Sequence, residues 1–162
     1  MKLHLGCGSK HMDGYVNIDI EKWAGGVDIE TDARDLSMYQ TETVDHIFSH
    51  ALLEHIAPWD TVPTLAEWFR VLKSNGTIQI EVPDLERIFE DWLVNRTLGE
   101  KEAIDNIFGG LSPDKRYERQ YHLTGFTYDK LTRMMKEVGF IECRRIEPIK
   151  FRHILIVHAR KL

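Results

Sequence analysis

Cysteine is scarce: Cys7 and Cys143 are the only two, far apart and without Cys-x-x-Cys spacing. Neither a disulfide framework nor a zinc knuckle is expected from them, and a reducing, cytoplasmic setting is the default expectation. Long apolar runs are missing as well. No stretch approaches the roughly 18 residues of a membrane span, and no basic segment followed by an apolar one reads as a signal peptide. Basic charge is in deficit, with 21 Lys and Arg against 26 Asp and Glu. The deficit is uneven: residues 141–162 carry a net +4, which leaves −9 on residues 1–140. A surface of that sign repels a phosphate backbone, so duplex nucleic acid is not an expected partner.

What is present is an ordinary globular balance, 43% apolar and 29% charged, over 162 residues. That length suits one domain with its own core, residues 1–162, with no repeat or long linker. Strand-like segments are Lys2–Leu5, Val16–Ile20, Val27–Glu30, Val44–Ser49, Thr77–Val82, Ile141–Ile146 and His153–Ala159. Helical periodicity runs through Asp60–Lys73, with Val62, Leu65, Ala66, Phe69 and Leu72 as its stripe. Asp60 or Thr61 would cap it and Ser74-Asn75-Gly76 would stop it. Further helices are expected over Leu85–Val94 and Tyr128–Val138, the second with Thr127 as cap and Gly139 as stop. Strands alternating with helices indicate a mostly parallel α/β sheet. The last two strands have no helix between them and should pair antiparallel.

The first strand ends in "KLHLGCGSK". A Gly-rich turn there lets backbone approach a ligand at the carboxyl end of the sheet, where open α/β folds bind. Asp19 ends the second strand, placed for ribose hydroxyls, and Asp32-Ala33 follows the third, placed for an adenine. A dinucleotide motif would need Gly or Ala at position 11, where His11 stands. It would also need a helix N-terminus facing the pyrophosphate, and residues 8–15 leave room for about one turn. A ligand without phosphates has no such requirement, and S-adenosylmethionine is one.

"LGCG", "GYVNIDI", "DARDL" and "VDHIFSHALLEHI", in that order at the first four strands, resemble a Rossmann-like (class I) S-adenosylmethionine-dependent methyltransferase. "FRVLKSNGTIQIEVPDLE" is similar to that family's helix-to-strand passage, and "HLTGFTYDKLTRMMKEVGF" to its later helix. The resemblance covers residues 2–146. It implies a seven-stranded sheet ordered 3-2-1-4-5-7-6 with strand 7 antiparallel, with the N-terminal helices here reduced. It also implies S-adenosylmethionine as cofactor, S-adenosylhomocysteine as product and methyl transfer as the activity. Carried over, Gly6, Cys7 and Gly8 border the methionine part and ribose. Asp19 and Ile20 lie at the ribose, Asp32 and Ala33 at the adenine, and Ser49 with His50 at the methionine tail. Two positions depart from the family: His4 stands where many relatives carry an acid, and Lys10 stands near the missing third glycine.

Methyl transfer needs a protein base only when the acceptor is a hydroxyl or a protonated amine. His50, after the fourth strand, is the leading candidate catalytic residue, with His122 second and His55 third. Some relatives use a Leu-Glu-His passage such as Leu53-Glu54-His55 near the acceptor or a divalent ion. His50-x-x-x-Glu54-His55 is not the HExxH spacing, and no metal is expected. Lys115, Arg116 and Arg119 would meet an acidic acceptor or form a solvated face. A small-molecule acceptor is expected; the alternative is a degenerate fold that serves as a binding module.

Polar residues at Lys2, His4, Asn17, Asp19, Gln79 and Glu81 alternate with apolar ones along three strands. Strands buried on both faces should instead be almost continuously apolar. One sheet face should therefore be thinly covered: wet, paired with a second copy as a homodimer, or covered by the segment Leu85–Phe108. No long helices are expected within residues 8–43.

Overall fold

The strands are β1 (Lys2–Leu5), β2 (Val16–Asp19), β3 (Ile29–Glu30), β4 (Val44–His50), β5 (Leu72–Pro83), β6 (Ile141–Ile146) and β7 (Ile154–Arg160). They form one sheet in the order β3-β2-β1-β4-β5-β7-β6. β1 to β5 pair parallel, and β7 runs antiparallel to both β5 and β6. This is the order and the reversed strand expected from the sequence. The computed structural model describes residues 1–22, 26–110, 120–150 and 152–162. Lys115, Arg116 and Arg119 lie outside them.

Strand alternation divides the sheet cleanly. On one face Leu3, Leu5, Ile18, Ile47, Ile80 and Val157 are fully buried. Helices α1 (Pro58–Val71) and α4 (Tyr128–Glu137) pack over that face and touch each other. α4 begins as the sequence implies: the Thr127 hydroxyl accepts from Lys130 N at 3.2 Å. α1 departs from expectation. It starts at Pro58, whose missing N–H costs nothing at a first helical position, and no side chain caps it. Its buried residues are Thr61, Thr64, Leu65, Trp68 and Val71, while Ala66 is exposed. Trp68 governs that rotation, because its large ring is fully buried and its indole N–H donates to the Ala33 carbonyl at 2.8 Å. Nor does Asn75 stop the helix. The chain passes straight from Val71 into β5, and Asn75, at φ 65°, is an irregularity inside that strand.

Among the described residues 8–43 there is no helix. The β1–β2 connection is held instead by Asn17, which is fully buried. Its Oδ1 accepts from Met12 N at 2.8 Å, and its amide donates to Asp28 Oδ2 at 3.0 Å and to the Met12 and Tyr15 carbonyls. His4 Nδ1 lies 3.1 Å from the same Oδ1. Since Oδ1 can only accept, that ring nitrogen carries the hydrogen. His4 and Asn17 of the polar alternation in β1 and β2 are thus buried and paired, while Lys2 is exposed.

The open part of the face lies further across the sheet. His46, Phe48 and His50 of β4 stand beside Thr77, Gln79 and Glu81 of β5, all half-buried. The segment 85–108 does not cover them. It forms α2 (Leu85–Phe89), a π-helical turn (Glu90–Val94) and α3 (Glu100–Phe108). Ile88, Leu98 and Ala103 make a small cluster of their own there, while Phe89, Leu93 and Phe108 stay exposed. Asp84 fixes the start of this segment: it is fully buried, caps α2 at Arg87 N and pairs with Arg145.

Candidate functional site

A cavity of about 700 Å³ opens where β1, β2 and β4 end. That is the position at which parallel sheets bind ligands. Gly6 and Gly8 both line it, for different reasons. Gly6 has φ +67°, and a Cβ there would stand 2.8 Å from Leu52 Cβ, so the fold itself requires glycine. Gly8 has φ +53° but a Cβ would meet nothing within 4 Å. Its side is left open to the cavity.

Asp19 ties this turn to β2. Its Oδ2 accepts from Gly8 N at 2.8 Å and its Oδ1 from Glu21 N at 3.0 Å. The carboxylate still lines the cavity, next to Ile20. Cys7 is buried, and burial with the nearby Asp19 charge pushes its thiol up to about 11. Such a thiol is no nucleophile at neutral pH. Asp32, Ala33 and Arg34 form the opposite wall. Arg34 clasps Asp32 through Nε at 3.0 Å and Nη2 at 2.6 Å, and its other Nη reaches Asp60 at 3.2 Å. Donation to the Asp32 carboxylate holds the guanidinium above its ordinary value.

His50 lines the cavity at the end of β4. Its Nδ1 lies 2.8 Å from Glu81 Oε2, its direct neighbour in the parallel register. Gln79 donates to the other Glu81 oxygen at 2.7 Å. Burial alone would raise the Glu81 carboxyl, but the His50 and Gln79 hydrogen bonds more than offset it and leave it below its ordinary value. A charged Glu81 accepts the Nδ1 hydrogen, so that in the neutral ring the lone pair lies on Nε2. Glu81 was visible in the sequence only as a polar strand residue. Its one signal is alternation, which puts it on the face of His50 once β4 and β5 pair.

Beyond His50 the backbone turns sharply at Ala51, φ 50°, an uncommon conformation for a residue with a Cβ. The turn carries Leu52 onto Gly6 and leads into the 3₁₀ turn Leu53–His55. His55 lines the far end of the cavity with Gln120, Tyr121 and Leu123. Its Nδ1 donates to the Tyr121 carbonyl at 3.0 Å. Burial lowers the pKa of His55, and it does the same for His122.

Two expected site residues do not reach the cavity. Ser49 alternates to the opposite face of β4, where it is fully buried and its hydroxyl has no partner among the described residues. His122 turns behind His55, ring centroids 4.9 Å apart, with Nδ1 3.1 Å from the Asn106 carbonyl. A catalytic contact by the His122 ring therefore has no support in this arrangement. Glu54 was noted in the sequence only as part of a passage. It is 1% exposed, both carboxylate oxygens lack a hydrogen-bond partner among the described residues, and burial pushes the carboxyl up to about 8.

The family model of the methyltransferase domain matches residues 3–80. No curated protein sequence matches significantly. Among solved structures, an S-adenosylmethionine-dependent methyltransferase from Methanosarcina mazei aligns over 99% of this chain and 92% of its own, with TM-score 0.64 and 19% identity. One from Archaeoglobus fulgidus aligns over 99% and 85%, with TM-score 0.66 and 13% identity. The 1,6-didemethyltoxoflavin-N1-methyltransferase of Burkholderia thailandensis, solved with its substrate and S-adenosylhomocysteine, aligns over 99% and 70%, with TM-score 0.63 and 16% identity. At these identities the structural likeness concerns the fold. The matched residues, which run from β1 into β5, are similar to a methyltransferase domain, and the sheet has the Rossmann-like strand order of the methyltransferase fold.

Proposed function

We propose that this protein transfers a methyl group from S-adenosylmethionine to a small-molecule acceptor, with His50 as the base. The observation that carries the proposal is one shared cavity: it holds the open side of Gly8, the Asp19 carboxylate and an imidazole oriented by Glu81. The residues suit this cofactor better than a dinucleotide. Asp19, Glu21 and Asp32 outnumber Lys10 and Arg34 along the pocket, and among the described residues no helix begins directly after Gly8 to receive a pyrophosphate.

When bound, S-adenosylmethionine supplies a methyl group already activated on a sulfonium. Gly6 to Gly8 would border its methionine and ribose, Asp19 with Ile20 the ribose hydroxyls, and Asp32 with Ala33 the adenine. Gly8 N and Glu21 N donate to the two Asp19 oxygens and fix the carboxylate at the cavity wall, where the ribose hydroxyls would lie. On the acceptor side, Glu81 holds the His50 ring so that Nε2 takes a proton from a hydroxyl or an ammonium. The remaining alignment is geometric, set by the walls around His55 and Tyr121.

The reading extends to one domain over residues 1–162 in a reducing, cytoplasmic compartment, supported by two unpaired cysteines. No helix among the described residues is long and apolar enough to cross a membrane. A second copy across the open face would shelter Phe48, Ile154 and Ile156; a monomeric mass in sedimentation at high concentration would remove that part. For the central reading, isothermal titration with S-adenosylmethionine, S-adenosylhomocysteine and NADH is decisive: the first two should bind and NADH should not. Release of S-adenosylhomocysteine on a panel of small hydroxyl and amine acceptors then tests transfer. His50→Ala should lower turnover by roughly 10²–10⁴ and keep cofactor affinity.

A further inference from the structure

A buried carboxylate that nothing satisfies is expensive, since leaving such a group unpaired costs more than a hydrogen bond returns. Glu54 is in that position, with both oxygens unpartnered among the described residues. It is not isolated from other ligand-bearing groups. One ligand atom from each of Glu54, His55 and His122 lies within 4.8 Å of the other two. Both imidazoles are fixed from behind: His55 Nδ1 donates to the Tyr121 carbonyl and His122 Nδ1 to the Asn106 carbonyl. Because carbonyls only accept, each ring holds its hydrogen on Nδ1 and presents Nε2 as a bare lone pair. Rings held this way by a backbone carbonyl are the usual support of metal-ligating histidines.

The backbone brings the three together deliberately. Leu123 N and Thr124 N both donate to the Glu54 carbonyl, at 2.8 and 3.1 Å, and His122 N donates to the Phe108 carbonyl at 3.0 Å. The 3₁₀ turn after β4, the loop before α4 and the end of α3 are thus pinned to one another around these side chains. We infer that Glu54, His55 and His122 form a site for one divalent transition-metal ion, most suitably Zn²⁺, behind the far end of the cavity, where His55 alone of the three lines the wall. Two imidazoles and one carboxylate suit Zn²⁺ and its neighbours, whereas Mg²⁺ and Ca²⁺ favour oxygen ligands throughout. Ligand atoms bonded to a tetrahedral ion at about 2.0–2.1 Å stand about 3.4 Å apart, so the three need close by at most about 1.4 Å. The metal was not expected from sequence, because His122 joins Glu54 and His55 only after the loop folds back.

This inference goes beyond methyl transfer, and its test uses no methyl donor. The untagged full chain is stripped with EDTA and titrated with Zn²⁺ against a competing chromophoric chelator. One Zn²⁺ per chain should bind, with a higher melting temperature, and Co²⁺ in its place should give visible ligand-field bands. Glu54→Gln and His122→Gln should each weaken Zn²⁺ by at least about a hundredfold, on the scale by which even supporting partners cost tenfold or more. His158→Ala, on the open face, should leave binding unchanged. Far-UV circular dichroism checks folding, and if Glu54→Gln fails to fold then His122→Gln decides. No stoichiometric Zn²⁺ or Co²⁺ uptake, uptake unchanged in both variants, or preference for Mg²⁺ would each overturn the inference.

Discussion

The two glycines after β1 should respond differently to the same added methyl group. Gly6→Ala and Gly8→Ala both force alanine into the left-handed region, at φ +67° and +53°. That conformation costs about 1–2 kcal/mol, offset by about 0.4–1 kcal/mol from the stiffer unfolded chain. Gly8→Ala should therefore lose only about 1 kcal/mol, because its Cβ has nothing within 4 Å. In Gly6→Ala the Cβ meets three Leu52 carbons at 2.8, 3.0 and 3.1 Å. Leu52 is itself held by the strained turn at Ala51, so it has little freedom to retreat. Overpacking of this kind adds about 1–3 kcal/mol, which brings the Gly6→Ala loss to about 2–4 kcal/mol. At about 2–4 °C per kcal/mol for a chain of this size, Gly6→Ala should melt about 5–15 °C lower and Gly8→Ala only a few degrees lower. Titration with S-adenosylhomocysteine should give the reverse order of severity per degree of melting. Gly8→Ala, still folded, should bind at least about tenfold more weakly, a change of about 1.4 kcal/mol. Equal melting temperatures would show that Leu52 yields freely. Undiminished binding by Gly8→Ala would show that the open side of Gly8 is not where the cofactor lies.

Asp19→Asn removes the charge that Gly8 N and Glu21 N both donate to. Hydrogen bonds to a charged group contribute about 1.5–3 kcal/mol, so the variant should melt lower and bind S-adenosylmethionine about ten- to a hundredfold more weakly; unchanged affinity removes Asp19 from the site. Glu81 is held below its ordinary value of 4.5, so its contribution to stability is complete above that value and is lost as pH falls below it. Wild type should accordingly lose stability more steeply than Glu81→Gln as pH falls below 4.5, read as unfolding free energy against pH; parallel curves would refute the pairing with His50. Cys7, pushed up to about 11, should alkylate slowly at pH 8 and accelerate only towards pH 11. Labelling of Cys7 as fast as a free thiol at pH 8 would count against its burial.

Much of the fold was legible because strands announce themselves by alternation and short connections by their length. The antiparallel end followed from a link too short for a crossover helix, and the missing helices between β1 and β3 followed from the spacing of Gly8, Asp19 and Asp32. The face of α1 was not legible. Ala66 and Trp68 compete for the core in any periodic reading, and the choice depends on a carbonyl from residue 33 that only the folded chain brings near. The polar residues of β1 and β2 misled for a related reason. A strand that alternates polar and apolar residues reads as half-exposed, yet His4 and Asn17 are buried beneath a loop that they themselves hydrogen-bond in place.

The site divides along the same line. Gly6, Gly8, Asp19, Asp32 and His50 could be proposed from sequence because each sits at the carboxyl end of a strand, and in a parallel sheet those ends converge. Ser49 obeys the same rule of position but fails the rule of alternation: adjacent to His50, it must face the other way. Glu81 satisfies both rules, but needs the register of β4 against β5, which no single strand records. His122 lies furthest from what sequence can supply. Its place is set by three backbone hydrogen bonds from residues 122 to 124 to the Phe108 and Glu54 carbonyls. A loop pinned that firmly to the turn after β4 spends backbone donors on holding Glu54, His55 and His122 together. Apolar residues at these positions would pack with no charge to desolvate. A carboxylate and two imidazoles held there carry a desolvation cost that a purely structural corner does not need, which favours the metal site inferred behind the acceptor end of the cavity.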